Sequence, residues 1–100
     1  MIAVKVTYTV KDDYVDSNKK LIEKFLTDFK KLDHTQFLYS IFQSEDGKTF
    51  IHTSQYKNKE IQQTLLNTSS FLHFQELRDK NLVSTTIEFL NYVGASKEIF

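Results

Sequence analysis

The sequence predicts an α+β domain whose elements follow the order βαββαβ, with a four-stranded antiparallel sheet and its helices on one face. Three observations lead to this prediction. Apolar residues alternate at the start of the chain, and apolar residues then recur at spacings of three and four. Further along, an Asp-Gly pair separates two runs that are rich in β-branched and aromatic residues. At 100 residues, we expect one domain over positions 1–100.

The first predicted elements are a strand and an amphipathic helix. Apolar side chains alternate from Ile2 to Val10, which is typical of a half-buried strand. Asp13 is expected to cap the helix that follows, with Asp16 in its first turn. One stripe of that helix is predicted to face the core, and its members are Val15, Asn18, Ile22, Phe25, Phe29 and Leu32.

A β-hairpin is predicted around Asp46 and Gly47, which we expect to form a two-residue loop with Glu45 opposite Lys48. Residues 36–44 and 48–56 would be its strands. Because side chains alternate along a strand, this register divides them between two faces. One face holds Phe37, Tyr39, Ile41, Phe50, His52 and Tyr56, and the other holds Leu38, Phe42 and Ile51.

The second half of the chain predicts a broken helix and a last strand. Asn58 is expected to cap a helical stretch over 57–81, which the polar residues 67–70 interrupt because their side chains compete for backbone hydrogen bonds. Residues 83–92 read as a strand. The tail over 95–100 ends in Ile99 and Phe100, so we expect it to dock on the protein.

These elements predict a ferredoxin-like arrangement, because right-handed crossovers place both helical regions on the same face of the sheet. The other face is then uncovered, although apolar and aromatic residues occur on both faces of the strands. An uncovered apolar face is typical of an interface or a ligand surface. We therefore expect a barrel-like homodimer in which two sheets face each other, with a cavity between them.

Composition excludes several classes of function. Thirteen Lys and Arg balance 13 Asp and Glu, so no positive patch for nucleic acid is indicated, and no apolar run is long enough to span a membrane. The absence of Cys excludes disulfides, thiolate catalysis and zinc–thiolate sites. Without His pairs at ligand spacing, we expect no metal and no cofactor. The chain shows no signal peptide, so we expect a cytoplasmic protein.

Five short segments carry a resemblance to a known family: 46–52, 54–56, 65–67, 70–71 and 74–75. With them the chain resembles, over nearly its whole length, the dimeric α+β barrel superfamily and in particular the small antibiotic-biosynthesis-monooxygenase-like domains. The resemblance implies a ferredoxin-like dimer. Some relatives oxidise polycyclic substrates without a cofactor, and others bind and degrade haem.

Haem degradation is disfavoured by the residues that would correspond to the haem-degrading pattern. That pattern has an Asn in the first strand and a Trp and a His in the second helix. The matching positions here are Thr7, Leu65 and Gln75, and the chain has no Trp.

His52 is the candidate catalytic residue, as a general base on the aromatic face beside Tyr39 and Tyr56. The alternative is a buried His bonded to a neighbouring hydroxyl. The candidate ligand contacts are Tyr8, Tyr39, Phe50, Tyr56 and His73. The alternatives are core packing for the strand residues and a helix-surface position for His73.

Three functions stay open from the sequence. The first is binding of a small apolar or aromatic molecule in a cavity beside the sheet. The second is a cofactor-independent monooxygenase-like enzyme that uses His52. The third is a purely structural or interaction dimer with a filled interior. We rank the first highest because the sequence shows no catalytic constellation.

Overall fold

The computed structural model describes residues 1–100, which form four strands and three helices. In chain order the elements are β1 (Ile2–Val10), α1 (Val15–Phe29), β2 (Phe37–Gln43), β3 (Thr49–Tyr56), α2 (Lys59–Leu66), α3 (Ser69–Asp79) and β4 (Leu82–Leu90). The sheet has the order β2-β3-β1-β4, and every neighbouring pair is antiparallel. This confirms the predicted α+β class and its ferredoxin-like arrangement. None of the helices combines the length and apolar character that a membrane span needs.

The core lies between the helices and one face of the sheet. Alternate residues of the strands point to this helix-covered face, and they pack against the apolar stripes of α1 and α3. The buried side chains that form it are Tyr8, Val10, Ile22, Phe25, Phe29, Phe37, Phe50, Tyr56, Leu65, Phe71 and Phe74. Phe25 of α1 meets Phe71 and Phe74 of α3 edge-on, with ring centroids 5.0 and 4.9 Å apart. The core is therefore largely aromatic, and its rings are arranged in the geometry that their quadrupoles favour.

The start of α1 differs from the prediction. A 3-10 turn over Asp12–Tyr14 precedes the helix, and the backbone N–H of Tyr14 bonds to the carbonyl of Lys11 at 2.9 Å. Asp13 lies inside this turn and makes no side-chain cap, so the prediction that it caps the helix is wrong. The backbone turn leads directly into α1, whose first turn still carries Asp16.

The hairpin has a wider loop than predicted. The last ladder bond runs from the N–H of Ser44 to the carbonyl of Thr49, which leaves residues 45–48 as a four-residue loop. The carboxylate of Asp46 accepts bonds from the backbone N–H groups of Lys48 and Thr49, and Gly47 adopts a φ of 78°. The two-residue loop is therefore wrong. The register is nevertheless the predicted one, because Gln43 pairs with Phe50 and Phe37 with Tyr56.

The broken second helix forms as predicted. The side chain of Asn58 accepts a hydrogen bond from the N–H of Ile61 at 3.0 Å, so Asn58 caps α2. The interruption falls at Asn67 and Thr68, whose side chains bond back to carbonyls of α2. Helix α3 then begins at Ser69 and packs Phe71 and Phe74 into the core.

The last strand and the tail lie at the two edges of the sheet. Strand β4 ends at Leu90, two residues earlier than predicted, and it is the edge strand beside β1. Phe89 is 79% exposed even though it points to the helix-covered face, because no helix reaches over this part of β4. The tail crosses to the opposite edge, where Ile99 shares a groove with Phe37 and Leu38.

The uncovered face of the sheet is less apolar than the sequence predicted. Tyr39, Phe50 and His52 lie on the face that the helices cover, so they need no second sheet. The uncovered face combines Thr and Ser with Lys5 and Glu88, and its exposed apolar residues are Leu38, Phe42 and Leu90, which are 45%, 58% and 44% exposed. The cavity described below also lies under the helices, and not on the uncovered face where the prediction placed it.

Candidate ligand-binding site

A cavity of about 400 Å³ lies between the helix-covered face of the sheet and helices α2 and α3. Nine of the sixteen side chains that line it are hydrophobic, and the other seven are polar or charged. A mainly apolar lining with several polar groups is usual for small-molecule sites. Exposed residues of β4, including Ile87 and Phe89, flank its open side. Further lining residues are Val4 and Val6 of β1, Ser54 of β3, Gln62 and Leu66 of α2, and Gln75 of α3.

A buried chain of hydrogen bonds ends at this cavity. The amide Nδ2 of Asn18 donates to the hydroxyl oxygen of Tyr8 at 2.9 Å. The same hydroxyl lies 2.8 Å from Nε2 of His52, and Nδ1 of His52 lies 2.8 Å from the hydroxyl of Tyr39. Helix α1 and strands β1, β3 and β2 each contribute one of these four residues. His52 and Tyr39 line the cavity, whereas Asn18 and Tyr8 lie behind them.

Burial determines the protonation states of the histidine and the two tyrosines in this network. His52 is only 2% exposed and packs among aromatic rings, including Phe74 with its ring centroid 5.7 Å away. This burial, with a smaller contribution from the charge of Arg78, lowers the pKa of His52 to about 3. Burial also raises the pKa values of Tyr8 and Tyr39. At neutral pH the histidine and both tyrosines are therefore uncharged.

Arg78 is the cationic residue of the cavity wall. Its guanidinium carbon lies 5.3 Å from the ring centroid of Tyr8 and 5.2 Å from that of Phe74, which are cation–π distances. Nε and one terminal nitrogen donate to the carboxylate of the adjacent Asp79 at 3.2 and 3.0 Å. The two rings contact the guanidinium from different sides of an edge-on pair, and Asp79 balances its charge at the edge of the cavity.

The structure brings together some of the predicted site residues and separates others. His52, Tyr39 and Tyr56 line the cavity. Tyr8 and Phe50 do not line it, because they are packed in the core below, and His73 is exposed on α3 away from it. Of the three positions that correspond to the haem-degrading pattern, only Gln75 lines the cavity. No group of three His, Asp or Glu side chains has the arrangement of a metal site.

Two residues of the site were not among the sequence candidates. Asn18 appeared in the sequence as a polar residue within an apolar helical stripe, and such a residue needs a buried partner. That partner could not be named because it lies on another element. Arg78 is the only Arg of the chain and lies on the inner side of α3, a position that could have indicated a buried cation.

Comparison with solved structures gives the fold class. A crystal structure of an antibiotic biosynthesis monooxygenase superposes with a TM-score of 0.78 at 14% identity, covering 94% of this chain and 100% of the other. Rv0793 from Mycobacterium tuberculosis gives a TM-score of 0.78 at 13% identity, covering 96% and 98%. A Nitrosomonas europaea protein, provisionally assigned as an antibiotic biosynthesis monooxygenase, gives 0.80 at 15% identity, covering 94% and 100%.

The chain therefore has the fold of the antibiotic-biosynthesis-monooxygenase-like proteins, as the sequence resemblance indicated. No family model and no curated protein sequence matches the chain. At identities of 13–15% the likeness concerns the fold.

Proposed function

We propose that the cavity between the sheet and helices α2 and α3 binds a small, planar, aromatic or otherwise apolar molecule. The observation that carries the proposal is a cavity of about 400 Å³ lined by nine hydrophobic and seven polar or charged side chains, among which His52 is held by hydrogen bonds to Tyr8 and Tyr39. Apolar walls favour binding by removing the surface of the ligand from water, and the polar groups orient it. The part-buried Tyr39 and the exposed Phe89 offer rings against which a flat ligand can pack.

Titration with fluorene, a rigid tricyclic hydrocarbon, tests this proposal directly. We expect saturable binding to the native protein, measured by equilibrium partition of the hydrocarbon or by calorimetry. Leu66→Trp places a larger side chain in the cavity wall and should weaken binding at least tenfold. Leu72→Trp is the matched control, because Leu72 is an exposed residue of α3 outside the cavity, and it should leave the affinity unchanged. Equal affinities for the two variants would contradict the assignment of the site.

A second candidate function is oxidation of such a molecule by O2 without a cofactor. It is favoured by the contact of an uncharged His52–Tyr39 pair with the cavity, and by the monooxygenases among the proteins of the same fold. The reaction would convert an activated methylene and O2 into a carbonyl and water. The role of His52 as a base stays a prediction. With a pKa of about 3 it would remove protons only from acidic groups, or would act by orienting Tyr39.

Oxygen uptake tests the enzymatic candidate. With anthrone as the substrate, we expect uptake above the rate in buffer for the native protein and a lower rate for Tyr39→Phe. Tyr56→Phe changes another tyrosine of the same cavity and is the control for general disturbance of the site. If fluorene binds but anthrone is consumed only at the buffer rate, the protein is a binding protein and the second candidate is wrong.

We also propose that the protein is a cytoplasmic homodimer. The support for association is the unpaired edge of β4 together with its exposed apolar residues, of which Val83 and Phe89 are 66% and 79% exposed. The absence of Cys fits a reducing compartment. Sedimentation equilibrium at micromolar concentration should give twice the monomer mass of 11.8 kDa. A monomer would contradict the dimer and would leave the cavity proposal in place.

A further inference from the structure

We infer that Asn18, acting through Tyr8 and His52, holds the hydroxyl of Tyr39 as a hydrogen-bond donor towards the cavity. The site would then select aromatic molecules that carry a carbonyl-type oxygen over those that present only an N–H. Asn18, Tyr8 and His52 act here as positioning residues, and Tyr39 is the residue that touches the ligand. The inference rests on the proposed function, since it names the class of molecule that the same cavity takes.

Asn18, which is fully buried in α1, determines which group donates in each hydrogen bond of the network. Its Nδ2 donates to the oxygen of Tyr8, and its Oδ1 has no partner. The reverse orientation of the amide would leave both N–H protons of Nδ2 without this acceptor. Unpaired N–H groups are rarer in protein cores than under-used carbonyl oxygens, so the orientation that donates to Tyr8 is the favoured one.

As a result, the hydroxyl of Tyr8 donates its proton to His52. Its hydroxyl is 1% exposed at the residue level and has two hydrogen-bonding neighbours, Asn18 and His52. Because the bond from Asn18 uses the oxygen as an acceptor, the hydroxyl proton needs its own acceptor. Nε2 of His52, at 2.8 Å, is the available one. If Nε2 carried a proton instead, the hydroxyl proton of Tyr8 would be buried without a partner, which is unfavourable.

His52 in turn donates its own N–H to the hydroxyl oxygen of Tyr39. Burial keeps the imidazole neutral, because its pKa is lowered to about 3, so it carries one N–H only. With Nε2 as the acceptor, this N–H is on Nδ1 and donates to the hydroxyl oxygen of Tyr39 at 2.8 Å. The hydroxyl proton of Tyr39 has no acceptor within the chain, and Tyr39 lines the cavity. A ligand acceptor in the cavity would satisfy it.

The tautomer of His52 in the ligand-free protein is the first test. Long-range 15N–1H correlation spectra distinguish an imidazole protonated on Nδ1 from one protonated on Nε2. We expect the Nδ1–H form for His52 at pH 7, and an Nε2–H form would overturn the inference. In Asn18→Asp an ionised carboxylate would accept the proton of Tyr8, which should invert the tautomer to Nε2–H. The measurement on the native protein stands by itself if that variant does not fold.

Three tricyclic molecules of nearly equal shape provide the second test. Fluorenone offers a carbonyl acceptor, carbazole offers an N–H donor, and fluorene offers neither. One net hydrogen bond is worth about 1 kcal/mol, so we expect fluorenone to bind about fivefold more tightly than fluorene. Carbazole should bind no more tightly than fluorene. Tyr39→Phe should equalise fluorenone and fluorene, whereas Tyr56→Phe should keep the preference.

The outcomes separate the two proposals. Equal binding of all three molecules, or a preference for carbazole, would overturn the inference and leave the proposed function standing. If none of the three binds, the proposed function is wrong and the inference falls with it, whatever the tautomer of His52.

Discussion

Acidification from pH 7 to pH 5 should destabilise this protein through His52, and carboxylates contribute little to stability changes in that range. The folded-state pKa of His52 is about 3, well below its ordinary value of 6.5. As the pH falls below 6.5, the unfolded chain therefore takes up a proton that the folded chain does not. The stability that neutral His52 provides is complete above pH 6.5 and is lost progressively as the pH falls towards 3. Each pH unit within this window costs about 1.4 kcal/mol, so going from pH 7 to pH 5 removes about 2 kcal/mol.

Urea denaturation followed by far-UV circular dichroism at pH 7, 6 and 5 measures this effect. The control is His52→Gln, which removes the titrating group, and the quantity compared is the change in unfolding free energy with pH. The native protein should lose about 2 kcal/mol more than the variant between pH 7 and pH 5. Parallel pH profiles would refute the reasoning, because they would mean that His52 binds a proton in the folded protein as readily as in the unfolded chain.

Four further substitutions, one of them a control, test the packing and the backbone of the fold in the same urea assay. Phe74→Ala removes a fully buried ring at the centre of the aromatic core and should cost about 3–5 kcal/mol, whereas Leu72→Ala on the exposed side of α3 should stay within about 0.5 kcal/mol. Asn58→Ala removes the side-chain cap of α2 and should cost about 1 kcal/mol, and no loss would mean that the cap is not formed in solution. Gly47→Ala should cost about 1 kcal/mol through its φ of 78° alone, since a Cβ there meets no atom within 4 Å. An unchanged midpoint for Gly47→Ala would mean that the loop adopts another conformation.

Local patterns predicted most of the fold. Alternation placed β1, helical spacing placed α1, and the side-chain chemistry of Asn58 and of residues 67–70 placed the start and the break of the second helical region. The Asp-Gly pair predicted the correct hairpin register, although the predicted loop length of two residues was wrong. The loop is four residues long because Asp46 bonds to backbone N–H groups beyond Gly47, and a dipeptide rule does not include that interaction.

The site was only partly predictable, because it is assembled from residues that are distant along the chain. His52 and Tyr39 were recognised by their shared face, which follows from alternation within one hairpin. The sequence could not show that this face lies under the helices, since apolar residues occur on both faces of the strands. Nor could it join Asn18 to Tyr8, because the contact depends on how α1 crosses the sheet. Asn18 within an apolar stripe was the one local sign of a buried network.

The proposed binding of a flat aromatic molecule between the sheet and helices α2 and α3 can be measured in solution. The most direct measurement is chemical-shift mapping of the uniformly 15N-labelled protein during titration with fluorenone. We expect saturable shifts that cluster at residues lining the cavity, including His52, Leu66 and Gln75, with little change at Phe42 on the uncovered face. Shifts centred on the uncovered face, or no saturable shift at any residue, would contradict it.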